Sequence, residues 1–108
     1  MSEAIHKSLA EGRWHTFMLP FQLGNIGSEI HRAILWREKD PVLYEKAIER
    51  ALELIDLTIA DPRWRLRLKE ICRMREFLVR NYFNEENFGT SLEDLDHYCM
   101  QFALAARR

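Results

Sequence analysis

The residues best able to do chemistry in this chain are a histidine and an acidic neighbour near the C-terminus. Asp94 precedes His97 by three residues, so on a helix both side chains share one face and could hold a metal ion. Cys99 adds a thiol two residues further on. Di-iron bundles need Glu-x-x-His sets on two helices, and the long helices predicted below contain none. A metal or redox enzyme using His97, Asp94 and Cys99 is one hypothesis, but we expect no metal and no cofactor.

The cysteines and glycines offer little for nucleophilic or phosphate chemistry. Cys72 and Cys99 are the only two cysteines, and both fall within apolar helical patterns. We therefore expect two buried, protonated thiols and no disulfide. The chain has no Cys-x-x-Cys or His-Glu-x-x-His motif and no glycine-rich phosphate loop. These absences favour a protein without catalytic residues.

A cationic stripe is the strongest charge pattern, and it follows one face of the third predicted helix. Such a stripe can neutralise phosphates, and Trp64 and Tyr82 could add base stacking. The neighbouring predicted helices are acidic, and ion pairing within the bundle or between subunits is the commoner explanation of such a pattern. A solvated face without a partner is the third alternative. The candidate nucleic-acid contacts are Arg65, Lys69, Arg73 and Arg80.

The segment FQLGNIGSEIHRA, residues 21–33, places Gly24 and Gly27 inside an otherwise good amphipathic helix. Each glycine costs a helix about 0.5–1 kcal/mol relative to alanine. One explanation is that small residues let another helix approach closely; the other is that LGNIG ends one helix and Ser28 caps the next.

A polar stripe runs beside these glycines and comprises Gln22, Asn25, Glu29 and Arg32. It is either a solvated face or a seam between identical subunits, in which Glu29 and Arg32 pair across the interface. Large aromatic residues at the edges of this helix, Phe21 and Trp36, favour the seam. The candidate interface residues are Gly24, Asn25, Gly27, Glu29 and Arg32.

Asn25-Ile26-Gly27-Ser28-Glu29, followed by Arg32, resembles the Asn-Ile-Ala-Glu-Gly…Arg element of a family of small four-helix bundles. These are the proteins encoded within ribosomal RNA intervening sequences, together with the accessory proteins of diversity-generating retroelements. The helix from Tyr44 to Thr58 is similar to the next helix of that family. The resemblance implies a ring-like homo-oligomer whose partner is nucleic acid or a nucleic-acid enzyme.

The composition describes one globular domain over residues 1–108, with an N-terminal extension of about residues 1–15. Hydrophobic residues make up 47% of the chain and charged residues 31%, which excludes a disordered chain. The net charge is -1, so no global field attracts nucleic acid or an anionic membrane. We expect no signal peptide, because the N-terminal segment lacks an apolar core. We expect no membrane partner and a cytoplasmic location, because no apolar run approaches ~18 residues.

Helical periodicity and capping residues divide the chain into four long helices. Asp40-Pro41 and Asp61-Pro62 are typical helix starts, with an acidic cap and proline at the first position. Thr90-Ser91-Leu92-Glu93 predicts a capping box for the last helix. The predicted helices run from Phe17 or Pro20 to Arg37, from Pro41 to Ala60, from Pro62 to Phe83, and from the capping box to Arg107-Arg108, with a short helical turn at Ala4 to Ala10.

Short connections between long helices predict an all-α, antiparallel up-down-up-down four-helix bundle. On this basis the protein is expected to be a non-catalytic, self-associating interaction or scaffold protein that forms a homo-oligomer and could bind a protein partner. Nucleic-acid binding through the third helix is the first alternative, and a metal or redox enzyme is the second.

Overall fold

The computed structural model describes residues 12–83 and 90–106, with side chains as far as residue 104. Within these ranges the chain forms helices and no β-strand, and the predicted all-α, antiparallel up-down-up-down bundle is confirmed. The predicted turn at Ala4 to Ala10 and the terminal Arg107-Arg108 lie outside the described residues. The four α-helices are α1 (Leu19–Trp36), α2 (Pro41–Ile59), α3 (Leu68–Tyr82) and α4 (Leu92–Ala106), with 3-10 helices at Arg13–Thr16 and Pro62–Arg67.

Helix α1 is the centre of the bundle. It packs along α4 on one side and α2 on the other, whereas α3 packs mainly on α2 and touches α4 over a short stretch. The apolar side chains that α1 contributes recur every three or four residues, the spacing of a helix face that is buried along its whole length. Its fully buried aliphatic residues are Leu23, Ile26, Ile30 and Ala33.

The second Asp-Pro pair does not start an α-helix directly, so the predicted start of the third helix at Pro62 is wrong. Residues Pro62–Arg67 form a 3-10 helix with a non-helical residue, Trp64 (φ -103°, ψ 16°), and α3 begins at Leu68. The Trp64 indole N–H donates to Gln22 Oε1 at 2.8 Å. The chain therefore bends so that this indole can reach α1.

Gln22 is a buried connector between the N-terminal segment and the α2–α3 connection. Its Nε2 donates to the carbonyl oxygen of Trp14 at 2.9 Å, and its Oε1 accepts from Trp64. The Trp14 indole N–H donates to Thr58 Oγ1 at 3.0 Å. These bonds satisfy polar groups that would otherwise be buried without partners, and they fix the N-terminal segment against α1 and α2.

Asp61 anchors the same region electrostatically. Its carboxylate is 3% exposed and accepts from the Arg63 guanidinium at 2.7 Å, with His15 Nδ1 3.4 Å away. Hydrogen bonds from Arg63 lower the pKa of the Asp61 carboxyl to about 2. Arg63 also donates to the carbonyl oxygen of Phe17 at 2.7 Å, so one guanidinium joins the two segments.

The predicted capping box of the last helix is displaced by one residue. Ser91 Oγ accepts from the backbone N–H of Asp94, and Asp94 Oδ2 accepts from the backbone N–H of Ser91, both at 3.1 Å. Glu93 instead binds Arg37, the residue that follows α1, through two hydrogen bonds of 2.7 and 3.2 Å. Glu93, which the local sequence pattern predicts as a capping residue, therefore forms an ion pair with Arg37 instead.

The expectation that both thiols are buried is correct for Cys99 and wrong for Cys72. Cys72 is exposed, because the buried residues of α3 are Ile71, Met74 and Leu78. Their spacing of three and four fixes the core side of the helix, and Cys72 is rotated about 100° away from Ile71.

Candidate functional site

Helix α1 passes through both glycines without interruption, so the alternative in which LGNIG ends a helix is wrong. A Cβ atom built on Gly27 would lie 2.5 Å from the Cβ of Cys99, and one built on Gly24 would lie 3.0 Å from the Cβ of Ala103. Both positions lack room for an ordinary side chain. The interpretation that the glycines allow another helix to approach closely is confirmed, and that helix is α4 of the same chain.

The close approach leaves a shallow groove on the outer surface, which we call the α1/α4 groove. Its volume is about 460 Å³. Two large apolar side chains line it while remaining about half exposed, Leu35 at 51% and Met100 at 46%. The other lining residues are Gly24, Gly27, Ser28, His31, Arg32, Asp96 and Ala103.

Charged groups lie among the apolar side chains of this groove. His31 Nδ1 lies 3.1 Å from Asp96 Oδ2, which joins α1 to α4 across the groove. The Arg32 side chain is 60% exposed. Cationic and anionic groups are therefore both available on a single surface patch.

The predicted interface residues divide between two sides of α1. Gly24 and Gly27 face α4, and Arg32 lines the α1/α4 groove. Glu29 lies on the other side, where its carboxylate accepts from Arg32 at 3.3 Å and from Arg50 of α2 at 3.0 Å. Asn25 donates to the carbonyl oxygen of Phe21 at 2.8 Å. Pairing of Glu29 with Arg32 across a seam stays a prediction, and in the structure both residues are already engaged within one chain.

Sequence reasoning missed the residues that α4 contributes to this surface. Met100 and Asp96 are four residues apart and form one wall of the groove. The spacing was visible in the sequence, but only the packing of α4 against α1 shows that they line the same groove as Leu35 and His31.

The cationic stripe is only partly neutralised. Arg80 donates to Glu76 at 2.7 Å. Arg65, Lys69 and Arg73 are exposed and, within residues 12–83 and 90–104, have no ion-pair partner. Arg65 also lies in the 3-10 helix before α3 rather than in α3 itself.

Ion pairing between the basic third helix and the acidic second helix occurs at a different arginine. Arg75 of α3 donates to Asp56 of α2 at 2.7 Å. This is the kind of pairing that the charge pattern suggested, but it involves none of the four stripe residues. The stripe thus remains available as a surface.

The residues of the metal or redox hypothesis do not converge. Asp94 caps its own helix, and His97 is exposed. Cys99 is buried against Gly27 and Met74, and burial raises the pKa of its thiol to about 12. In the part of the chain that the structure describes, no group of three histidine, cysteine or acidic residues could hold a metal ion.

No family model, curated protein or solved structure matches this chain. None of the helices described has both the length and the apolar character needed to cross a bilayer. Two surfaces of the described chain are candidates for binding, the α1/α4 groove and the cationic stripe.

Proposed function

We propose that the protein is a non-catalytic, self-associating helical bundle that acts as an interaction or scaffold protein, and that the α1/α4 groove is where copies meet. The observation that carries the proposal is the exposure of Leu35 and Met100 on either side of a floor of small residues. Large apolar side chains that are exposed together on one surface are typical of contact sites.

The patch extends along both helices beyond the groove. Phe21, Ser28 and Leu35 recur every seven residues on the exposed side of α1, and Leu104 follows Met100 by one helical turn on α4. Phe21 is 47% exposed and Leu104 54%. Burying the exposed half of each such side chain contributes about 1 kcal/mol. Each copy has four such side chains, Phe21, Leu35, Met100 and Leu104. Burying them on both copies contributes several kcal/mol, enough for measurable association at micromolar concentrations.

A second copy is the partner that the charges of this patch fit. In a two-fold contact the same patch meets itself, so it must carry complementary groups. Arg32 and Asp96 line one groove with opposite charges, and their side chains are 60% and 18% exposed. A two-fold arrangement can bring Arg32 of each copy to Asp96 of the other, in place of the contacts that they make with Glu29 and His31 within one chain. The resemblance of residues 25–32 to a family of oligomeric four-helix bundles supports the same proposal.

The test is the molar mass in solution, measured by light scattering at about 10–100 µM, a range suited to weak interfaces. We expect the parent to exceed the monomer mass of 13.0 kDa. Leu35→Glu and Met100→Glu should each return it to that mass, because each buries a charge in the seam. The matched control is Leu66→Glu, at a leucine that is 94% exposed and does not line the groove. Association that survives both groove variants would overturn the assignment.

We further propose that this assembly works in the cytoplasm. Cys72 is exposed and neither cysteine is in a disulfide. An exposed free thiol is stable in a reducing compartment and is oxidised in a secretory one.

We propose a second candidate function, the binding of nucleic-acid phosphates by Arg65, Lys69 and Arg73. Its support is their exposure and their lack of carboxylate partners among the described residues. A cation that already has a carboxylate partner must give it up to bind phosphate, whereas these three need not.

Fluorescence anisotropy with a labelled structured RNA and a DNA duplex, across a salt series, tests this candidate. Each contact with phosphate adds about 0.7–0.9 to the slope of log K against log salt. Arg65→Glu, Lys69→Glu and Arg73→Glu should each weaken binding and reduce the slope. The control is Lys46→Glu, the same charge change at an exposed lysine of α2. No binding at low salt, or equal effects of all four variants, would exclude the stripe.

A further inference from the structure

A second groove opens on the opposite side of α4. Because α3 and α4 touch over a short stretch only, their surfaces leave a groove of about 280 Å³, which we call the α3/α4 groove. This volume is close to the lower limit for small-molecule sites. Its apolar lining consists of Met74 and Phe77 of α3 with Leu95 and Tyr98 of α4.

The charges at the rim of this groove leave one cation unneutralised. Glu70 is held by Arg67 through hydrogen bonds of 2.9 and 3.2 Å. Asp94 is turned towards the backbone N–H of Ser91 at the start of α4. Arg73 is exposed and has no ion-pair partner in the described residues. The α3 wall therefore presents a free guanidinium above an apolar floor.

Tyr98 adds a polar group without a partner. Its hydroxyl is buried and, among the described residues, makes no hydrogen bond. The ring lines both the α3/α4 groove and a narrower pocket beside Leu19 and Leu23. Buried hydroxyls normally have partners. A ligand in the α3/α4 groove that carries an acceptor atom would supply the partner that this hydroxyl lacks among the described residues.

We propose that the α3/α4 groove binds a small organic anion with an aromatic or branched aliphatic body. The apolar body lies on Met74, Phe77 and Leu95, and the anionic group binds the Arg73 guanidinium, which donates charge-assisted hydrogen bonds. The Tyr98 hydroxyl donates to a second acceptor atom of the ligand. This site is separate from the α1/α4 groove and does not depend on self-association.

The experiment uses two fluorescent probes with the same rings. One is 8-anilinonaphthalene-1-sulfonate, which is anionic, and the other is N-phenyl-1-naphthylamine, which lacks the sulfonate. We expect saturable binding of the sulfonate to the full chain, weakened about tenfold by Arg73→Gln and severalfold by Tyr98→Phe. The neutral probe should bind the parent and Arg73→Gln equally.

Two control variants distinguish this site from the other surfaces. Arg65→Gln removes a cation of the stripe that does not line the groove, and Leu35→Glu disrupts the α1/α4 groove. Both should leave the affinity for the sulfonate unchanged. Equal sulfonate affinity in the parent and Arg73→Gln, or a loss in Leu35→Glu, would overturn the proposal. Equal affinity in Tyr98→Phe would overturn the role given to the hydroxyl.

Discussion

Gly27 of α1 meets the Cβ of Cys99 on α4 so closely that a methyl group in place of its hydrogen would lie 2.5 Å from that atom. The optimal separation of two carbon atoms in a protein core is about 3.5–4.0 Å. The contact explains why a central helix contains glycine, and it sets the distance between the two helices that form the α1/α4 groove.

We predict that Gly27→Ala destabilises the fold by about 1–3 kcal/mol, although alanine favours an isolated helix by about 1 kcal/mol. The overlap is with a Cβ next to the backbone, which cannot move without shifting α4. Gly24→Ala should cost less, because its new Cβ would be 3.0 Å from Ala103 Cβ. Urea unfolding gives both free energies.

A double-mutant cycle shows whether the Cβ overlap is the cause. Cys99→Gly removes the atom that Gly27→Ala would overlap, whereas Cys99→Ala retains it. Gly27→Ala should cost little in the Cys99→Gly background and its full amount in the Cys99→Ala background. An equal cost in both backgrounds would show that helix–helix distance is not what the glycine provides.

Lowering the pH should reduce the free energy of unfolding of the unmodified protein, because Asp61 becomes protonated. The pKa of this buried carboxyl is lowered from 3.8 to about 2, chiefly by the hydrogen bond from Arg63. A lowered pKa means that the native state holds fewer protons than the unfolded state. The stabilisation that Asp61 contributes is therefore fully present above about pH 4 and is lost as the pH falls towards 2. The size of the shift corresponds to about 2 kcal/mol.

Asp61→Asn isolates this effect, because asparagine keeps a helix cap but does not ionise. The difference in unfolding free energy between parent and variant should shrink by about 2 kcal/mol between pH 5 and pH 2. Measurements at four pH values are enough to follow the change. A difference that does not vary with pH would mean that Asp61 acts only as a cap.

Gln22→Leu should destabilise the protein by about 2–4 kcal/mol, because two buried groups lose their partners. These are the Trp64 indole N–H and the carbonyl oxygen of Trp14. Asn25→Leu, in the same predicted polar stripe, should change stability by less than about 1 kcal/mol, since Asn25 makes a local bond to Phe21 only. Similar effects of the two substitutions would contradict the role given to Gln22.

Thiol labelling should distinguish the two cysteines. Cys72 is exposed, whereas Cys99 is buried and the pKa of its thiol is about 12. A chromogenic disulfide reagent should therefore modify one thiol in the native protein and the second only after unfolding. Cys72→Ser should leave no reactive thiol in the native state. Two fast-reacting thiols would mean that α1 and α4 separate readily.

The fold was predictable because its determinants are local. The apolar spacing of α1 and the Asp40-Pro41 start of α2 both appear in the structure as predicted. The errors arose where contacts between helices override local patterns. Glu93 was expected in a cap but binds Arg37, and Trp64 bends the start of the third helix by binding Gln22.

The candidate site was only half predictable for the same reason. The glycines of α1 indicated a close approach but could not show which helix approaches. The sequence pattern predicts one polar surface, whereas Gln22 is buried and Glu29 pairs with Arg50 of α2. The exposed apolar side chains of Met100 and Leu104 belong to a different helix, and no pattern within α1 could reveal them.

The measurement that tests the central claim most directly is sedimentation equilibrium of the unmodified chain at about 1–100 µM, the range in which weak interfaces saturate. Self-association through the α1/α4 groove predicts a weight-average mass that rises with concentration from 13.0 kDa towards a multiple of that value. A mass that stays at 13.0 kDa over the whole range would contradict it.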